Sequence, residues 1–442
     1  MTTKKLTDYI KRSTSTQSTE KTGQPKPAQA RMQFKKETKF QETPIGKIPK
    51  DWRLERLLNI SSEIRAGGTP LRSRREYWNG DIPFVKIEDM TNSFKYLLTT
   101  SETITKEGLE NSNAWLVPEN SLLLAIYGSL GEVVINKIKV TTNQAILAII
   151  PRNPKDVEYL YYWFLYYKPI WKKYAKPTTQ PNLTKEIVEN ALLPYPPSSE
   201  REKIAEILST VDSAIDRVRR LVERAERLKK GLMQELFTKG IGHKEYKETP
   251  IGKIPREWQV KKLDSICQVR HGKRPSKVLP EGPYPIYGAG GLSGYTKDYI
   301  SEGPWTVIVG RVGVGSVGKV YMAPGRIWVN DNAFYILPST DKVHTPFIYY
   351  ALLSRGLEQL AMRSAGGYAI ITQALLKKIE IPLPPIEEQK RIAEILFIID
   401  EYINKLRMKL ELLEHVKRAL MEMLLTGRVR VVIESFSGVT NG

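Results

Sequence analysis

Apolar residues in two stretches of the chain fall on alternating steps of four and three, the spacing of a coiled-coil helix. Such a spacing places the apolar side chains on one stripe, which a helix buries against a partner. In the first stretch these positions are Ile204, Leu208, Val211, Ile215, Val218, Val222, Ala225, Leu232 and Leu236. In the second they are Ile392, Leu396, Ile399, Ile403, Leu406, Leu410, Leu413, Leu420 and Leu424. The two stripes predict two long helices that pair with each other.

One position of each apolar stripe is a lysine, Lys229 in the first and Lys417 in the second, 188 residues apart. A lysine in a coiled-coil seam lowers stability but specifies register and orientation. Its presence at equivalent points favours an antiparallel pair of helices. The alternative is that both lysines extend to water while Leu228 and Val416 cover the seam.

The helices belong to a longer duplication. Residues 42–49 and 248–255 both read ETPIGKIP, and each is followed by an acidic residue and a tryptophan. LPYPPSSEREKIAEIL at 193–208 recurs as IPLPPIEEQKRIAEIL at 381–396. A period near 200 residues is far too long for a solenoid. It predicts two whole domains related by an approximate two-fold axis.

The offset of 188 also aligns two shorter segments inside the repeats. It relates 159–162 (YLYY) to 347–350 (FIYY), and Gln144-Ala145 to Asn332-Ala333. Between these matches, about 60–140 and 267–330 differ in sequence. The same set of repeated segments therefore occurs twice in the chain, each time around a different inserted segment.

Each insert alternates short apolar segments with turn residues, which predicts an α+β domain built around a small twisted sheet. The first 33 residues are rich in Ser, Thr, Lys, Gln and Pro, which predicts a disordered basic tail. Such a tail either adds loose DNA affinity or is a dispensable extension. The predicted boundaries are 1–33 for this tail, 34–192 and 241–380 for the two α+β domains, 193–240 and 381–430 for the two coiled-coil helices, and 431–442 for a C-terminal tail.

The charge balance adds a hint about the partner. The chain has 442 residues, a formal net charge of +20 and a pI near 9.6. A charge of that size favours a polyanion, because neutralised phosphates release counterions. A Lys-rich composition without functional meaning is the alternative.

The cysteine and histidine content limits the chemistry. Cys267 is the single cysteine, which rules out an internal disulfide or a thiolate metal cluster, and the four histidines lack metal-ligand spacing. We therefore predict no bound metal. Nothing resembles a signal peptide or a span of about 20 apolar residues, so the predicted location is the cytoplasm.

Two motifs suggest catalysis, but the residues around them do not match what either catalytic site needs. Gly313 to Gly318 fits a dinucleotide fingerprint, and with Lys319 it fits most of a phosphate-binding loop. Both motifs need a helix after the glycines, whereas VYMAPGRIWV follows here. Residues 153–156 (NPKD) carry only part of an amino-methyltransferase motif. We predict no catalytic residue, so a self-standing nucleotide-dependent enzyme is disfavoured.

The combined pattern resembles the specificity subunit of a type I restriction–modification enzyme. The matching residues are Pro194 to Leu208 and Pro382 to Leu396, with Gly67 to Pro70, Tyr77-Trp78 and the IGKIP…Trp entry to each half. The match covers roughly residues 36–430. The first signature departs slightly from the pattern at 194–199 (PYPPSS).

This resemblance implies an α+β fold in which two α/β target-recognition domains, related by a pseudo-two-fold axis, are separated by two long helices in an antiparallel coiled coil. It implies that each domain reads one half of an asymmetric, split site in double-stranded DNA. The helices are expected to bind two methyltransferase subunits, which restriction (translocase/nuclease) subunits join. S-adenosylmethionine, ATP and Mg are expected on those partners, with no cofactor on this chain. A purely structural coiled-coil scaffold is the remaining alternative.

Candidate DNA-contacting side chains are polar, basic or aromatic residues of the predicted loops. Arginine and lysine suit guanine edges and phosphates, and asparagine and glutamine suit adenine. In the first domain the candidates are Arg65, Arg72, Arg74, Arg75, Lys86, Tyr127, Ser129, Asn143, Gln144 and Thr179. In the second they are Arg270, His271, Lys273, Arg274, Tyr287, Arg311, Asn332 and Tyr368. For any single residue, a solvated loop charge or a turn-forming side chain is the alternative.

Overall fold

The computed structural model describes residues 31–174, 182–363 and 369–434. The chain divides into two compact units. The first unit contains the described residues up to Arg220 together with those from Met408 onward. The second unit runs from Leu221 to Arg407. Each unit therefore contains one of the predicted α+β domains and part of both long helices.

The described residues form 27 strands and ten α-helices. The strands are β1 (Arg31–Lys36), β2 (Phe40–Thr43), β3 (Gly46–Pro49), β4 (Arg53–Arg56), β5 (Ser61–Ala66), β6 (Trp78–Val85), β7 (Tyr96–Leu97), β8 (Glu102–Ile104), β9 (Leu122–Ala125), β10 (Val133–Asn136), β11 (Thr141–Thr142), β12 (Ile146–Pro151), β13 (Leu192–Tyr195), β14 (Tyr246–Lys247), β15 (Ile254–Pro255), β16 (Gln259–Lys262), β17 (Cys267–His271), β18 (Tyr284–Gly288), β19 (Gly291–Thr296), β20 (Thr306–Gly310), β21 (Val320–Ala323), β22 (Trp328–Val329), β23 (Ala333–Pro338), β24 (Met362–Arg363), β25 (Ala369–Ile370), β26 (Glu380–Leu383) and β27 (Val429–Glu434). The helices are α1 (Leu57–Ile60), α2 (Ile87–Asn92), α3 (Lys106–Glu110), α4 (Val157–Tyr174), α5 (Lys185–Glu189), α6 (Ser198–Thr238), α7 (Leu263–Ile266), α8 (Thr345–Ser354), α9 (Gln373–Lys378) and α10 (Ile386–Leu425).

The two units share a sheet topology. In the first, a five-stranded sheet has the order β5-β12-β9-β10-β7, and a three-stranded sheet has the order β11-β6-β8. In the second, the corresponding sheets are β17-β23-β20-β21 and β19-β18-β22. The central strands β9 and β20 are buried along their whole length, and apart from Thr306 their residues are apolar, as expected of strands covered on both faces. The fold is α+β in both units, as the sequence predicted.

A helix packs against the main sheet of each unit and supplies its aromatic core. In the first unit α4 buries Tyr159, Tyr162 and Trp163, and in the second α8 buries Phe347 and Tyr350. Burying such large side chains contributes on the order of 2 kcal/mol each. These contacts hold each sheet against the long helices.

The long helices α6 and α10 pair in an antiparallel manner within each unit. In the first unit Asp212 of α6 lies 2.6 Å from Lys417 of α10, and Arg219 of α6 lies 2.7 Å from Glu414. As the residue number rises along α6 it falls along α10, which is the antiparallel arrangement that the seam predicted.

The second unit shows the same antiparallel order. Glu226 of α6 pairs with Arg407 of α10 at 2.6 Å, and Lys229 with Asp400 at 2.5 Å. The Lys229–Asp400 pair repeats the Lys417–Asp212 pair at an offset of 188, with the helices exchanging roles.

The seam lysines therefore contact carboxylates. The side chains of Lys229 and Lys417 are only 21% and 15% exposed. Leu228 and Val416 are 47% and 40% exposed, so they do not cover the seam. The alternative in which the lysines extend to water is wrong, because an aspartate on the facing helix pairs with each of them.

A second contact is duplicated in the two units, and it is made by the tryptophan that follows each ETPIGKIP segment. The indole Nε1 of Trp52 donates to Glu200 at 3.1 Å, and that of Trp258 donates to Glu388 at 2.9 Å. Each glutamate lies in the first turn of a long helix, where a negative charge is favourable. The tryptophan that follows each ETPIGKIP segment therefore helps to fix its domain to the start of the long helix.

Four predicted segment ends differ from the structure. Residues 31–36 and 429–434 pair as the antiparallel strands β1 and β27, so a strand occupies the ends of the predicted tails at 1–33 and 431–442. The helices begin at Ser198 and Ile386, later than the predicted 193 and 381, because the proline signatures form strands β13 and β26 instead. Proline has no backbone N–H for a helix interior but is tolerated in these short two-stranded pairs.

Candidate nucleic-acid interface

Three strand ends of the first unit place several predicted residues at one edge of the main sheet. Ala66 at the end of β5 pairs with Leu147 of β12, and Ala125 at the end of β9 pairs with Ile146. The loops that leave this edge are consequently neighbours. They carry Tyr127, Ser129, Asn143 and Gln144, and Arg65 lies beside them near the end of β5.

An open cleft of about 680 Å³ lies at the same edge. It is lined by residues 67–69 and 110–113 and by Gln144, whose Oε1 accepts a hydrogen bond from Thr69 at 2.6 Å. Tyr127 is 42% exposed beside β9. These amide, hydroxyl and phenol groups can both donate and accept, as base-edge recognition requires.

Most basic candidates of the first unit already have acidic or aromatic partners. Arg72 lies 2.7 Å from Glu102 and 3.7 Å from the ring centre of Trp78. The same Glu102 pairs with Lys86 at 2.9 Å and raises the pKa of that lysine. These two cations are therefore partly neutralised within the unit.

The other candidate arginines of this unit differ in whether they already have an acidic or aromatic partner. Arg74 pairs with Glu76 at 3.3 Å, and Arg65 stacks 5.1 Å from the ring centre of Trp115. Arg75 is exposed, and in the described part of the chain its side chain has no hydrogen bond or ion pair. Arg75 is consequently the arginine of this group most available for phosphate.

The second unit brings its candidates to the equivalent sheet edge. His271 at the end of β17 pairs with Phe334, and Gly310 at the end of β20 pairs with Ala333. This register places Arg270, His271, Arg311 and Asn332 at one edge, with Lys273 and Arg274 in the loop that follows β17.

Among the described residues, these candidates make fewer ion pairs than Arg72, Arg74 and Lys86 of the first unit. Lys273 and Arg274 are exposed, and no side-chain ion pair is found for either among the residues that the structure describes. Burial and the nearby Arg311 lower the pKa of His271, so its ring is neutral at pH 7 and can donate and accept. Arg270 donates to Gln268 at 2.6 Å.

The remaining candidates of the two domains are less well placed or lie outside the described residues. Tyr287 lies on β18, half-buried, and burial raises its pKa. Thr179 and Tyr368 fall outside the described residues.

Backbone contacts correct the predicted alignment of the two domains by one residue. Ala145 O accepts from Ile126 N at 2.9 Å, and Asn332 O accepts from Arg311 N at 2.9 Å. The equivalent of Asn332 is therefore Ala145, whereas an offset of 188 had matched it with Gln144. The error arose because Ala145 lies just before β12, whereas Ala333, with which the offset of 188 matched it, is the first residue of the equivalent strand β23.

The corrected register identifies a residue that sequence reasoning missed, Asn330. Its Oδ1 accepts from Asn332 N at 3.0 Å, as the Oδ1 of Asn143 accepts from Ala145 N at 3.0 Å. Both asparagines shape the turn before an equivalent strand, which is a common structural use of asparagine. The signal was present as Asn143 and Asn330, 187 residues apart.

Each of these turns is approached closely by a glycine. A Cβ on Gly67 would lie 2.0 Å from the carbonyl oxygen of Thr142, and one on Gly272 would lie 1.9 Å from that of Asn330. Only glycine fits at either point, which explains the glycine after β5 and β17. The frame of the recognition edge is thus duplicated, although its side chains differ.

The glycine run of the second unit is a hairpin turn. Gly313 to Gly318 connects β20 to β21, two antiparallel strands, and Gly128 to Gly131 connects β9 to β10 in the same way. A phosphate-binding loop or dinucleotide fingerprint needs a following helix N-terminus. That reading is therefore inconsistent with the strand that follows.

Two further observations concern metals and membranes. Among residues 31–174, 182–363 and 369–434, no group of three or more His, Cys, Asp or Glu side chains is arranged to hold a metal ion. Burial raises the pKa of Cys267 to about 12, so its thiol is protonated at neutral pH. None of the described helices is long and apolar enough to cross a membrane.

Comparison with known proteins gives the class of molecule. A family model for the type I restriction modification DNA specificity domain matches residues 49–227 and 255–415. The chain is 30% identical over 433 residues to the type I restriction enzyme MjaVIII specificity subunit of Methanocaldococcus jannaschii, covering 90% of this chain and 98% of that subunit. It is also 30% identical over 432 residues to the putative MjaX specificity subunit of the same organism, covering 90% and 99%.

The fold agrees with a solved relative. The crystal structure of the S subunit of a type I restriction–modification system from M. genitalium superposes with a TM-score of 0.60 at 17% identity, covering 85% of this chain and 96% of that chain. The chain belongs to the type I restriction–modification DNA specificity family. The predicted family, two-repeat α+β fold and role in DNA specificity are therefore confirmed.

Proposed function

We propose that each unit reads one half of an asymmetric, split DNA sequence. The observation that carries this proposal is that the same sheet edge is built twice with different side chains. The first edge presents Tyr127, Asn143 and Gln144, whereas the second presents His271, Arg311 and Asn332. Side chains that differ in donors and acceptors select different bases. Unlike edges on a repeated frame therefore favour unlike half-sites.

Within each edge, the contacts divide by chemistry. Arg75, Lys273 and Arg274, which are exposed and make no ion pair with any residue that the structure describes, suit phosphate oxygens, and the polar residues at the strand ends suit base edges. Arg65, Arg72, Arg74 and Lys86 need to exchange an internal partner for DNA, so their net contribution is smaller. The net charge of +20 supports a salt-sensitive component of binding.

The long helices are the proposed docking region for two methyltransferase subunits. The repeated Lys417–Asp212 and Lys229–Asp400 pairs support two similar docks, because the frame around each helix start is duplicated. Restriction subunits then join this complex. S-adenosylmethionine, ATP and Mg are assigned to those partners, and we place the whole assembly in the cytoplasm with the DNA it acts on.

Lys229 and Lys417 have the proposed role of setting the register of the two helices. Each is held by an aspartate that also accepts a hydrogen bond from a tyrosine, at 2.7 Å from Tyr162 and 2.9 Å from Tyr350. A shift by one helical turn would leave both aspartates without their lysines. Buried polar pairs of this kind are the best-attested means of fixing coiled-coil register.

The test is a map of methylated bases in host DNA with and without this gene. The proposal expects that deletion abolishes methylation at one split, asymmetric adenine motif with a fixed unspecified spacer. Reintroducing the gene restores that motif. Unchanged methylation while the methyltransferase partner is expressed would contradict the proposal.

A further inference from the structure

The tip of the hairpin between β20 and β21 presents an apolar side chain that the second unit does not use. Val314 is 97% exposed, more than any other large hydrophobic residue among those described. Single exposed apolar residues are common on protein surfaces and need no explanation by themselves. Val314 differs because of the way its turn is built and because of what surrounds it.

The turn that carries Val314 is closely held at its base. Ser316 N and Val317 N both donate to Gly313 O at 3.1 Å, and Gly318 N donates to Gly310 O at 2.8 Å. Gly313 and Gly315, on either side of Val314, have φ angles of 110° and 67°, which favour glycine. The base is fixed while the valine projects between two glycines that add no side chain of their own.

A second glycine turn packs beside the hairpin. Gly310 leaves no room for a Cβ, which would lie 2.3 Å from Ser316 O and 3.0 Å from Ala289 O. Tyr321, the second residue of β21, donates its hydroxyl to Ala289 O at 3.2 Å. The turn at 288–291 therefore supports the hairpin from one side. Bare backbone on both turns leaves Val314 accessible to a large partner.

The surroundings of the hairpin are those of the proposed DNA edge. Arg311 opens the turn and Lys319 closes it, and Arg311 is close enough to His271 to lower the pKa of that ring. Positive charge around an isolated apolar group suits duplex DNA, which displays phosphates beside the thymine C5-methyl group of the major groove. Valine is short and β-branched, so it suits a methyl contact better than insertion between bases.

The first unit has no such feature at its equivalent hairpin. That turn, Gly128 to Gly131, is shorter, and its one aliphatic residue, Leu130, is 7% exposed. Ser129 occupies the exposed position instead. Any readout by an apolar tip is therefore confined to the second unit.

Resting on the proposed function, we propose that Val314 contacts a thymine methyl group and thereby specifies one A·T pair in the half-site read by the second unit. The contact adds discrimination that hydrogen bonds to the same pair do not supply. Its expected contribution is about fourfold in affinity, from the burial of one methyl group.

The test pairs a protein change with a DNA change. Uracil lacks the C5-methyl group, so duplexes with single thymine-to-uracil replacements are titrated with the chain in complex with its methyltransferase partner. We expect one uracil position to weaken binding about fourfold. V314A should weaken binding to the thymine duplex about as much and lose no more on the uracil duplex. V314I keeps an apolar tip and should retain the uracil effect.

Two controls separate this inference from the proposed function. Uracil in the other half-site should affect wild type and V314A equally, and V432A, an exposed valine on β27, should leave every duplex unchanged. If the losses from V314A and uracil multiply, or if no uracil position matters, the Val314 contact is wrong. If the complex shows no preference for its methylated motif at all, the proposed function itself fails.

Discussion

The two units build the same junction between domain and long helix from different neighbours. In the first, Asp212 pairs with Lys417 and Tyr162, and Lys95 adds hydrogen bonds to Tyr162 and Ser209. In the second, Asp400 pairs with Lys229 and Tyr350, but the counterpart of Ser209 is Phe397, whose ring lies 6.4 Å from that of Trp305. The triad of aspartate, lysine and tyrosine is therefore common to both units, whereas the residues around it differ between them.

The charged residues of the two junctions also differ in burial, which changes how strongly each junction depends on its ion pair. Asp212 and Lys95 are 4% and 3% exposed, while Asp400 is 24% exposed. A charge buried that deeply depends on its partners, because no water can replace them. The first junction is therefore predicted to be the more sensitive to substitution, although the sequence patterns look equivalent.

The largest expected effect is that of K417M, which leaves Asp212 without its lysine. We expect a loss of about 3–5 kcal/mol in the free energy of unfolding, as for a broken buried pair. K229M is the matched variant and should lose about 1–2 kcal/mol, because water reaches Asp400. Urea unfolding of both variants measures the difference. Equal losses would contradict the comparison, and D212L should restore much of the stability of K417M.

The second prediction concerns the helix-start glutamates. Glu200 is held by Arg430, which also binds Glu37 and Asp51, each at 2.8 Å, whereas Glu388 is held by His243 at 2.9 Å. R430Q should cost on the order of 2 kcal/mol at pH 7, because Glu200 is 6% exposed. H243Q keeps a hydrogen-bond donor and should cost less than about 1 kcal/mol.

The effect of R430Q should also depend on pH. Hydrogen bonds from the Lys39 backbone and from Arg430 lower the pKa of Glu37 to about 2, and Arg430 lowers the pKa of Asp51. Carboxyl groups with lowered pKa stabilise the fold above their unfolded pKa, near 4, and lose this effect as the pH falls towards 2. The gap between wild type and R430Q should narrow over that range. A gap that is constant with pH would show that these carboxylates are not linked to Arg430.

A smaller effect is expected from importing the neighbour of one junction into the other. S209F places the residue of the second unit beside buried Lys95 and should cost about 1–3 kcal/mol through overpacking. Combining S209F with K95M, which removes the lysine, should recover part of that loss. Thermal unfolding of the single and double variants measures the coupling. Strictly additive losses would mean that Lys95 and Ser209 do not share a site.

The smallest predicted effect compares basic residues of the two DNA edges. R274A removes a cation that makes no ion pair within the described parts of the chain, and it should reduce the slope of log affinity against log salt by about 1. R72A removes a cation already paired with Glu102, so its slope should change much less. Titration of the methyltransferase complex at several salt concentrations distinguishes them. Equal slope changes would show that Arg72 leaves Glu102 to bind phosphate.

The structural framework shared by the two units could be predicted because its sequence motifs occur twice in the chain. The apolar stripes, the seam lysines and the entry tryptophans recur at fixed offsets, and each corresponds to a duplicated contact in the structure. The partners of those residues were not predictable in the same way. Asp212 and Asp400 lie within charged helices, where only the antiparallel register identifies them as the residues that face a lysine.

The recognition edge was predicted only in part. Loop position identified Gln144, His271 and Arg311, but Glu102, which pairs with Arg72 and Lys86, comes from another segment and could not be foreseen. Asn330 was missed through an alignment error of one residue, which a single strand register corrects. Val314 was missed because an exposed valine carries no sequence signal until its turn is known.

We propose that the two units share one structural framework and recognise their DNA half-sites independently of each other. The most direct test replaces residues 267–370 with the matching segment of a relative that has a different target, followed by mapping of methylated bases in cells that express the partner subunits. We expect one half of the split motif to change while the other half is retained. A chimera that alters both halves, or that methylates the original motif unchanged, would contradict it.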